Sequence, residues 1–245
     1  MNNFLKKITP KIGAQNAEKR NEWLIGQLQK LPSGLRILDA GAGTQQYKQY
    51  CMHLNYVSQD FASYIPNETE KGLQNKEWNY GQLDIISDIT NIPEPDKSFD
   101  IIMCTEVLEH LPYPSEAIKE LSRLLKPEGK LIITAPFCSL THQAPHFYST
   151  GFSTFYYKKI LSENGLEIEE IIPNGSFFEY MAQENRRMAY MANKYAGVSL
   201  SIFDKLLLFL NLKMLNKLSK KDKKSHEILC FEYFVRAKKL QSSQP

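Results

Sequence analysis

Short apolar runs alternate with longer amphipathic stretches along most of the chain. The runs have the length of strands buried in a sheet, and the stretches between them repeat apolar positions at helical spacing. Such alternation predicts the α/β class, in which helices cover both faces of a mostly parallel sheet. Seven strands are predicted, at residues 35–39, 55–60, 83–87, 99–104, 130–135, 166–172 and 228–236.

Helices are predicted before and between these strands, and a turn is predicted at Lys126-Pro127-Glu128-Gly129, with proline at its second position. The helices lie at 14–31, 44–53, 115–125 and 150–163, and a mostly helical insertion at 176–224 precedes the last strand. No linker divides the chain, so we predict a single domain over residues 1–245. Its parts are the leading helix 14–31, a core at 35–175, the insertion 176–224 and a final strand within 226–238.

Composition narrows the class of protein. Hydrophobic residues make up 42% and charged residues 23% of the 245 residues, which is ordinary for a chain that buries a core. No apolar run approaches the roughly 18–20 residues that span a bilayer. The N-terminal sequence MNNFLKKITP lacks the apolar stretch of a secretion signal, so we expect a cytoplasmic protein. The four cysteines form no CxxC pair, which argues against a zinc or disulfide framework.

Positive charge is concentrated in the insertion. Residues 199–224 contain seven Lys and two Asp, whereas the whole chain has a net charge of only +3. The remainder is therefore slightly acidic, which argues against a nucleic-acid partner. One helical stripe of the insertion is apolar, and we expect it to pack against the fold. The alternative is a lid or interfacial helix with weak membrane-surface contact through Lys220, Lys221, Lys223 and Lys224.

The end of the first strand runs into a glycine-rich turn, Asp39-Ala40-Gly41-Ala42-Gly43-Thr44. Glycines in alternation let the backbone turn sharply and approach a ligand without a Cβ in the way. In parallel sheets ligands bind at the carboxyl ends of the strands, and here the second strand ends at Asp60 and the third at Asp88-Ile89. A carboxylate after the second strand is placed to accept hydrogen bonds from ribose hydroxyls. A carboxylate after the third strand can accept a hydrogen bond from an adenine amine.

These motifs resemble class I S-adenosylmethionine-dependent methyltransferases over residues 35–135. The matching segments are ILDAGAG (37–43), SQD (58–60), SDITNIP (87–93), SFDIIMCTEVLEHL (98–111) and LLKPEGKLIITAPF (124–137). The resemblance implies a Rossmann-like fold that uses S-adenosylmethionine as cofactor. It places Asp39, Gly41 and Gly43 at the methionine part, Asp60 at the ribose, Asp88 and Ile89 at the adenine, and Glu106 near the methyl group.

One position departs from the family pattern. A third glycine often stands two positions after Gly43, where this chain has Gln45. The Gln45 side chain could narrow the pocket or donate a hydrogen bond to the cofactor carboxylate, so it joins the cofactor-binding candidates. A nicotinamide dehydrogenase is disfavoured because its GxGxxG fingerprint would need glycine at position 46, which is Gln46.

The methyl acceptor is predicted to lie near the loop after the fifth strand, which contains His142 and His146. Imidazole can remove a proton from a hydroxyl near neutral pH, so both are candidate catalytic bases. His110 is a further candidate, with a structural role as its alternative. The spacing of His142 and His146 could suggest a metal pair, but Pro145 between them disfavours a continuous helix, so no metal site is predicted.

The predicted function is methyl transfer to a small molecule, with a sugar hydroxyl favoured by the resemblance of HQAPHFY to enzymes of bacterial surface-polysaccharide synthesis. One alternative is N- or C-methylation of a quinone-like or lipid acceptor. The other is a catalytically silent relative that binds the cofactor or a partner protein in a structural or regulatory role.

Overall fold

The computed structural model describes residues 9–75 and 77–241 and contains a seven-stranded sheet. The strands are β1 (Arg36–Ala40), β2 (Asn55–Asp60), β3 (Ile85–Ile86), β4 (Phe99–Thr105), β5 (Leu125–Pro136), β6 (Leu166–Asn174) and β7 (Glu232–Lys239). Their order is β3-β2-β1-β4-β5-β7-β6. Strands β3, β2, β1, β4 and β5 pair in parallel, and β7 runs antiparallel to β5. The predicted Rossmann-like, mostly parallel α/β sheet is confirmed.

Within the described residues, five α-helices accompany the sheet: α1 (Asn16–Gln29), α2 (Pro114–Leu124), α3 (Thr154–Glu163), α4 (Phe177–Ala196) and α5 (Ile202–Ser219). Serine side chains accept backbone N–H groups at the starts of three of them, Ser153 for α3, Ser176 for α4 and Ser201 for α5. Each cap satisfies a donor that has no partner within its helix. The leading helix and the helical insertion are therefore present, close to their predicted bounds.

The helix predicted at 44–53 is wrong. The chain forms only a short 3₁₀ turn at Lys48–Tyr50. Gly43 and Gln45 have φ angles of 51° and 56°, and a right-handed helix cannot run through this left-handed backbone. The glycine loop therefore stays irregular where it faces the strand ends.

Two other predicted boundaries differ from the structure. Residues 126–129 lie inside β5, where the pairing register jumps from Phe99–Leu125 to Ile101–Lys130, so they form a bulge in the strand. The last strand begins at Glu232, after a 3₁₀ turn at Ser225–Glu227, and it ends at Lys239.

By the density of its contacts the chain divides into two compact units, Met1–Lys19 with Pro173–Phe231, and Arg20–Ile172 with Glu232–Pro245. The predicted single domain stays a prediction. The first unit contains α4 and α5, which share a small core of Ile12, Ala182, Leu212 and Leu215. The amide of Asn185 also donates to the carbonyl of Leu208, 3.0 Å away, which joins the two helices.

The apolar stripe predicted to pack is instead exposed. Phe203, Leu207, Leu210 and Met214 have relative exposures of 66%, 48%, 51% and 53%, because α5 buries its other face through Leu212 and Leu215. Among the described residues, no helix is both long and apolar enough to cross a bilayer. The cytoplasmic location stays a prediction. It depends on residues 1–10, most of which lie outside the described residues.

The second unit holds the sheet. Leu24 and Leu28 of α1 are fully buried against Ile37 of β1, Met103 of β4 and Ile132 of β5. Burying a leucine side chain stabilises a fold by about 1.5–3 kcal/mol, so this contact fixes one face of the central strands. The carboxyl ends of β1, β2, β3 and β4 consequently meet at one edge, where polar loop residues can converge.

Candidate active site

A cavity of about 570 Å³ lies at this edge of the sheet, entirely within the Arg20–Ile172 unit. Loops that follow β1, β2, β3 and β4 form its walls, together with part of the loop after β5. Small-molecule sites have volumes of roughly 300–1,000 Å³ and occur at such strand ends. The predicted residues that line it are Gly41, Gly43, Asp60, Asp88, Ile89, Glu106, His110 and His146.

The glycine loop requires glycine at two positions. Gly41 has a φ angle of 75°, and a Cβ there would lie 2.4 Å from Cγ2 of Val107. Gly43 has a φ angle of 51°, and its Cβ would lie 2.9 Å from the ring of Trp78. Real Cβ atoms essentially never come within 3.0 Å of another heavy atom, so a larger residue at either position would have to displace Val107 or Trp78.

Asp60 holds the glycine loop at the end of β2. One carboxylate oxygen accepts the N–H of Gly43 and the other accepts the N–H of Ala62, each at 2.8 Å. A carboxylate oxygen has two lone pairs, so each retains one for a ligand. Asp60 is therefore fixed in orientation and still able to accept hydroxyl groups.

Asp88 and Ile89 follow β3 and line the cavity as predicted. One carboxylate oxygen of Asp88 accepts both the N–H and the hydroxyl of Thr90 at 2.8 Å, which closes a tight turn. Its other oxygen is not used in that turn, so a polar group remains beside the apolar side chain of Ile89.

Asp39 lies behind the cavity wall instead of lining it. Its side chain is 2% exposed and accepts the hydroxyl of Tyr56 at 2.6 Å. Burial raises the pKa of Asp39 from 3.8 to about 7, against the lowering effect of that hydrogen bond. The Asp39 carboxyl is thus held by Tyr56 of β2, and its predicted contact with the methionine part of the cofactor stays a prediction.

Gln45 is also not among the residues that line the cavity. Its amide nitrogen donates to the carbonyls of Tyr80 and Gln82 at 2.7 and 2.9 Å. The departure from the third glycine therefore ties the glycine loop to the segment between β2 and β3. The predicted contact between Gln45 and a cofactor carboxylate stays a prediction.

That segment supplies an aromatic wall that the sequence analysis did not predict. The Trp78 ring lies edge-on to Tyr64 and Tyr80, with centroids 5.4 and 6.1 Å apart, and all three line the cavity. The segment has almost no regular structure or apolar periodicity, so pattern reasoning passes over it. Its high aromatic content was the one available signal.

Two oppositely charged residues that line the cavity, Arg20 and Glu106, form an ion pair. Arg20 of α1 contacts Glu106 after β4 at 2.7 Å and Glu232 of β7 at 3.2 Å. Arg20 and Glu106 both line the cavity, and the Thr134 hydroxyl also donates to Glu106 at 3.0 Å. Sequence analysis predicted Glu106 but missed Arg20, because one charged residue on an amphipathic helix gives no local sign of where it points.

The three candidate histidines have different places. His110 and His146 line the cavity, whereas His142 does not. Nδ1 of His110 bonds to the carbonyl of His146 at 2.5 Å, and Nδ1 of His142 bonds to the carbonyl of Leu140 at 2.9 Å. Burial, with His142 nearby, lowers the pKa of His110 to about 4, so His110 is a poor proton acceptor at neutral pH.

Glu109, beside His110, was not predicted as a site residue. Its side chain is fully buried, and burial, with the nearby charge of Glu106, raises its pKa well above the usual range. Oε1 of Glu109 lies 3.7 Å from Nε2 of His110 and 3.8 Å from Nε2 of His142. The two histidines therefore meet at one carboxylate, although they are far apart in the chain.

Comparison with known proteins agrees with this geometry. Residues 38–133 match a family described as a methyltransferase domain. Residues 38–133 therefore have the sequence pattern of a methyltransferase domain. The resemblance predicted for residues 35–135 is therefore confirmed, and the matched residues include every strand end that forms the glycine-loop side of the cavity.

Curated relatives match less than half of this chain. The uncharacterised methyltransferase YcgJ of Bacillus subtilis is 28% identical over 45% of this chain and 42% of its own length. A ubiquinone biosynthesis O-methyltransferase of Xanthomonas oryzae pv. oryzae is 32% identical over 42% of this chain and 43% of its own. The chain thus spans less than half the length of these relatives.

A solved structure extends the similarity over most of the chain. The [4+2]-cyclase SpnF superposes with a TM-score of 0.56 at 18% identity, covering 92% of this chain and 82% of its own. At that identity the likeness shows the fold alone. Its description as a cyclase shows that this fold occurs with other chemistry.

Proposed function

We propose that this protein transfers a methyl group from S-adenosylmethionine to an oxygen of a small polar acceptor, with a sugar hydroxyl as the favoured class. The cavity at the strand ends carries this proposal, because it combines the glycine loop, Asp60 and the Asp88–Ile89 pair on one side with His146 on another. The methyltransferase domain match supports it.

The lining residues fit the cofactor part by part. Gly41 and Gly43 line the cavity without a side chain of their own, so a ligand could approach their backbone beside Val107 and Trp78. The fixed carboxylate of Asp60 would accept the ribose hydroxyls. Asp88 and Ile89 would hold the adenine through one polar and one apolar contact.

Arg20 and Glu106 suit the amino-acid end of the cofactor. That end carries an ammonium and a carboxylate, and the cavity floor presents a guanidinium and a carboxylate 2.7 Å apart. Charge-assisted hydrogen bonds to both are stronger than neutral ones, and they would fix the ligand in one orientation. In this proposal Arg20 and Glu106 take the role that the sequence analysis gave to Asp39.

The chemistry needs an oriented acceptor and a place for one proton. When bound, S-adenosylmethionine would supply an electrophilic methyl carbon, which the acceptor oxygen would take as the carbon–sulfur bond broke to leave a neutral thioether. A ring nitrogen of His146 would take the proton that the acceptor hydroxyl loses. Lining residues around the cavity would exclude water and hold the acceptor in line.

Polar side chains favour a hydroxylated acceptor. Gln143, His146 and Tyr148 line the acceptor side and offer an amide, an imidazole and a phenol. A quinone-like acceptor is the second candidate, because Phe61 and Tyr113 also line the cavity and the Xanthomonas relative is named for ubiquinone biosynthesis. A silent cofactor-binding relative remains the third outcome of the test.

Transfer of a labelled methyl group from S-adenosylmethionine tests these classes directly. Purified protein is incubated with sugars, sugar nucleotides, quinols and amines, and labelled products are separated. The proposal expects label on an oxygen of a hydroxylated acceptor. Label found only on quinols or amines would show that the acceptor belongs to one of those classes and not to the hydroxylated compounds. Cofactor binding without any labelled product would indicate a catalytically silent protein.

The exposed face of α5 supports a second proposal, weak contact with an anionic membrane surface. Ile202, Phe203 and Leu206 are 87%, 66% and 49% exposed. The lysine cluster at 220–224 directly follows this helix, and each lysine near an anionic surface contributes about 1 kcal/mol. An apolar face beside clustered lysines is typical of interfacial helices.

A further inference from the structure

We propose that Glu109, His110 and His142 bind one divalent transition-metal ion at the edge of the cavity. Each residue offers one ligand atom, and these three atoms lie within 4.8 Å of one another. Two imidazole nitrogens and one carboxylate oxygen form a donor set that proteins use for Zn²⁺, Mn²⁺, Fe²⁺ and Co²⁺. Neither the family match nor the relatives' names assign a metal to this position.

Hydrogen bonds fix both imidazoles in the form that binds metals. Nδ1 of His110 and Nδ1 of His142 each bond to a backbone carbonyl, so each Nδ1 must carry the proton. Nε2 is then an unprotonated lone-pair donor in both rings. Metal-binding histidines are oriented in this way by carbonyls that hold their other nitrogen.

Both Nε2 atoms point at a buried carboxylate that lacks ordinary partners. Within the described part of the chain, neither carboxylate oxygen of Glu109 hydrogen-bonds to another residue, and the side chain has no exposure to solvent. Arg20 makes its ion pairs with Glu106 and Glu232 instead. An unpaired carboxylate in such a place is costly, and a cation removes that cost.

A proton on Glu109 does not satisfy the same geometry. A protonated carboxyl has one O–H to donate, and the separations of 3.7 and 3.8 Å to the two Nε2 atoms exceed a hydrogen bond. Two ligands bonded at about 2.1 Å to one tetrahedral ion lie roughly 3.4 Å apart, so a small movement of the side chains suffices. Three acceptor atoms facing one point are best explained by an ion between them.

The place of the proposed ion at the edge of the cavity would give it a role in the proposed reaction. His110 is a cavity-lining residue, so an ion on its Nε2 would lie beside the acceptor side, near His146. Three protein ligands would leave a position open for an acceptor oxygen, and coordination would lower the pKa of that hydroxyl, whose proton His146 would accept. This role rests on the proposed function, whereas the binding of the ion does not.

The test is a titration of the full-length, chelator-treated protein with Co²⁺, followed by visible absorption and by calorimetry. One equivalent of Co²⁺ is expected to bind, with absorption bands of a nitrogen- and oxygen-ligated ion, and Zn²⁺ is expected to displace it. Glu109→Gln and His142→Ala are each expected to weaken binding by roughly 100-fold or more, at least the loss that outer-shell changes cause. Mg²⁺ is expected to compete poorly, since it prefers oxygen ligands.

His146→Ala is the matched control, because it removes a histidine of the same loop that is not in the cluster. It is expected to bind Co²⁺ with wild-type affinity. Should Glu109→Gln fail to fold, His142→Ala still gives the result, since His142 is 24% exposed on a loop. Absence of one-equivalent binding, or wild-type affinity in the cluster variants, overturns the site, while calorimetry with S-adenosylmethionine tests the proposed function separately.

Discussion

Asp39 couples the stability of the fold to pH. Its carboxyl is buried, and its pKa in the folded state, about 7, lies above the value of 3.8 expected in the unfolded chain. Between these values the folded state holds one more proton than the unfolded state. The free energy of unfolding therefore falls as pH rises from about 4 to 7, by up to about 1.4 kcal/mol per unit.

The prediction concerns Asp39→Asn, which keeps an oxygen that can accept the Tyr56 hydroxyl. Relative to this variant, wild type is expected to lose stability with rising pH, on the order of a few kcal/mol between pH 4 and 8. Denaturant unfolding of both proteins across that range measures the difference. A difference that is independent of pH would mean that Asp39 is charged in the folded protein.

His146 is the residue whose loss should affect turnover most specifically. His146→Gln is expected to lower kcat by roughly 10²-fold, because the acceptor proton loses its base, while cofactor affinity stays within about twofold. Steady-state kinetics and calorimetry measure the two effects. The matched control is His53→Gln, since the His53 ring contacts the carbonyl of Leu31 outside the cavity. Equal turnover rates for the two variants would mean that His146 is not the base, and that the rate depends on orientation of the acceptor alone.

At the scale of elements, sequence reasoning succeeded where the signal was local. A strand end and the glycine or carboxylate that follows it are neighbours in the chain, so the sequence alone assigned Gly41, Gly43 and Asp60 to the cavity. The prediction of a helix at 44–53 failed because left-handed backbone at Gln45 leaves no trace in apolar periodicity. Sequence analysis did not predict that Glu109 lies near His142, because the two residues are distant in the chain.

The packing prediction for helix α5 failed for a different reason. The helix is apolar on more than one side, so periodicity alone cannot say which face is buried. Leu212 and Leu215 pack with Ala182 of α4, and the stripe with Phe203, Leu207 and Leu210 is left exposed. We expect an exposed apolar face of this length to be an interaction surface.

Helix α5 and the lysines that follow it are predicted to bind an anionic membrane surface. Wild-type protein is expected to sediment with vesicles of anionic lipid at low salt and to release at roughly physiological salt, where the Debye length is about 8 Å. Reversing the charge of Lys220, Lys221, Lys223 and Lys224 should abolish sedimentation, because the electrostatic part is lost. Reversal of the exposed Lys11, Lys71, Lys119 and Lys158 is the control. Binding that neither salt nor charge reversal weakens would refute the electrostatic account.

At the scale of the whole molecule, the sheet order brings four strand ends to one edge and so assembles the cavity from distant parts of the sequence. The methyltransferase match covers residues 38–133, yet Arg20, His142 and His146 lie outside it. The cofactor side of the site could therefore be predicted from family motifs. The acceptor side depends on loops whose positions are set by long-range contacts, such as Tyr148 N–H to the carbonyl of Glu109 at 2.9 Å.

Calorimetric titration with S-adenosylmethionine is the most direct test of the central claim, that the cavity binds this cofactor through the strand-end residues. Wild type is expected to bind one equivalent, and Asp60→Ala is expected to bind more weakly by about 1–3 kcal/mol because hydroxyl contacts are lost. Asp84→Ala is the matched control, since Asp84 hydrogen-bonds to Ser58 of β2 and does not line the cavity. Heat with NAD and none with S-adenosylmethionine, or equal affinity in wild type and Asp60→Ala, would contradict the account.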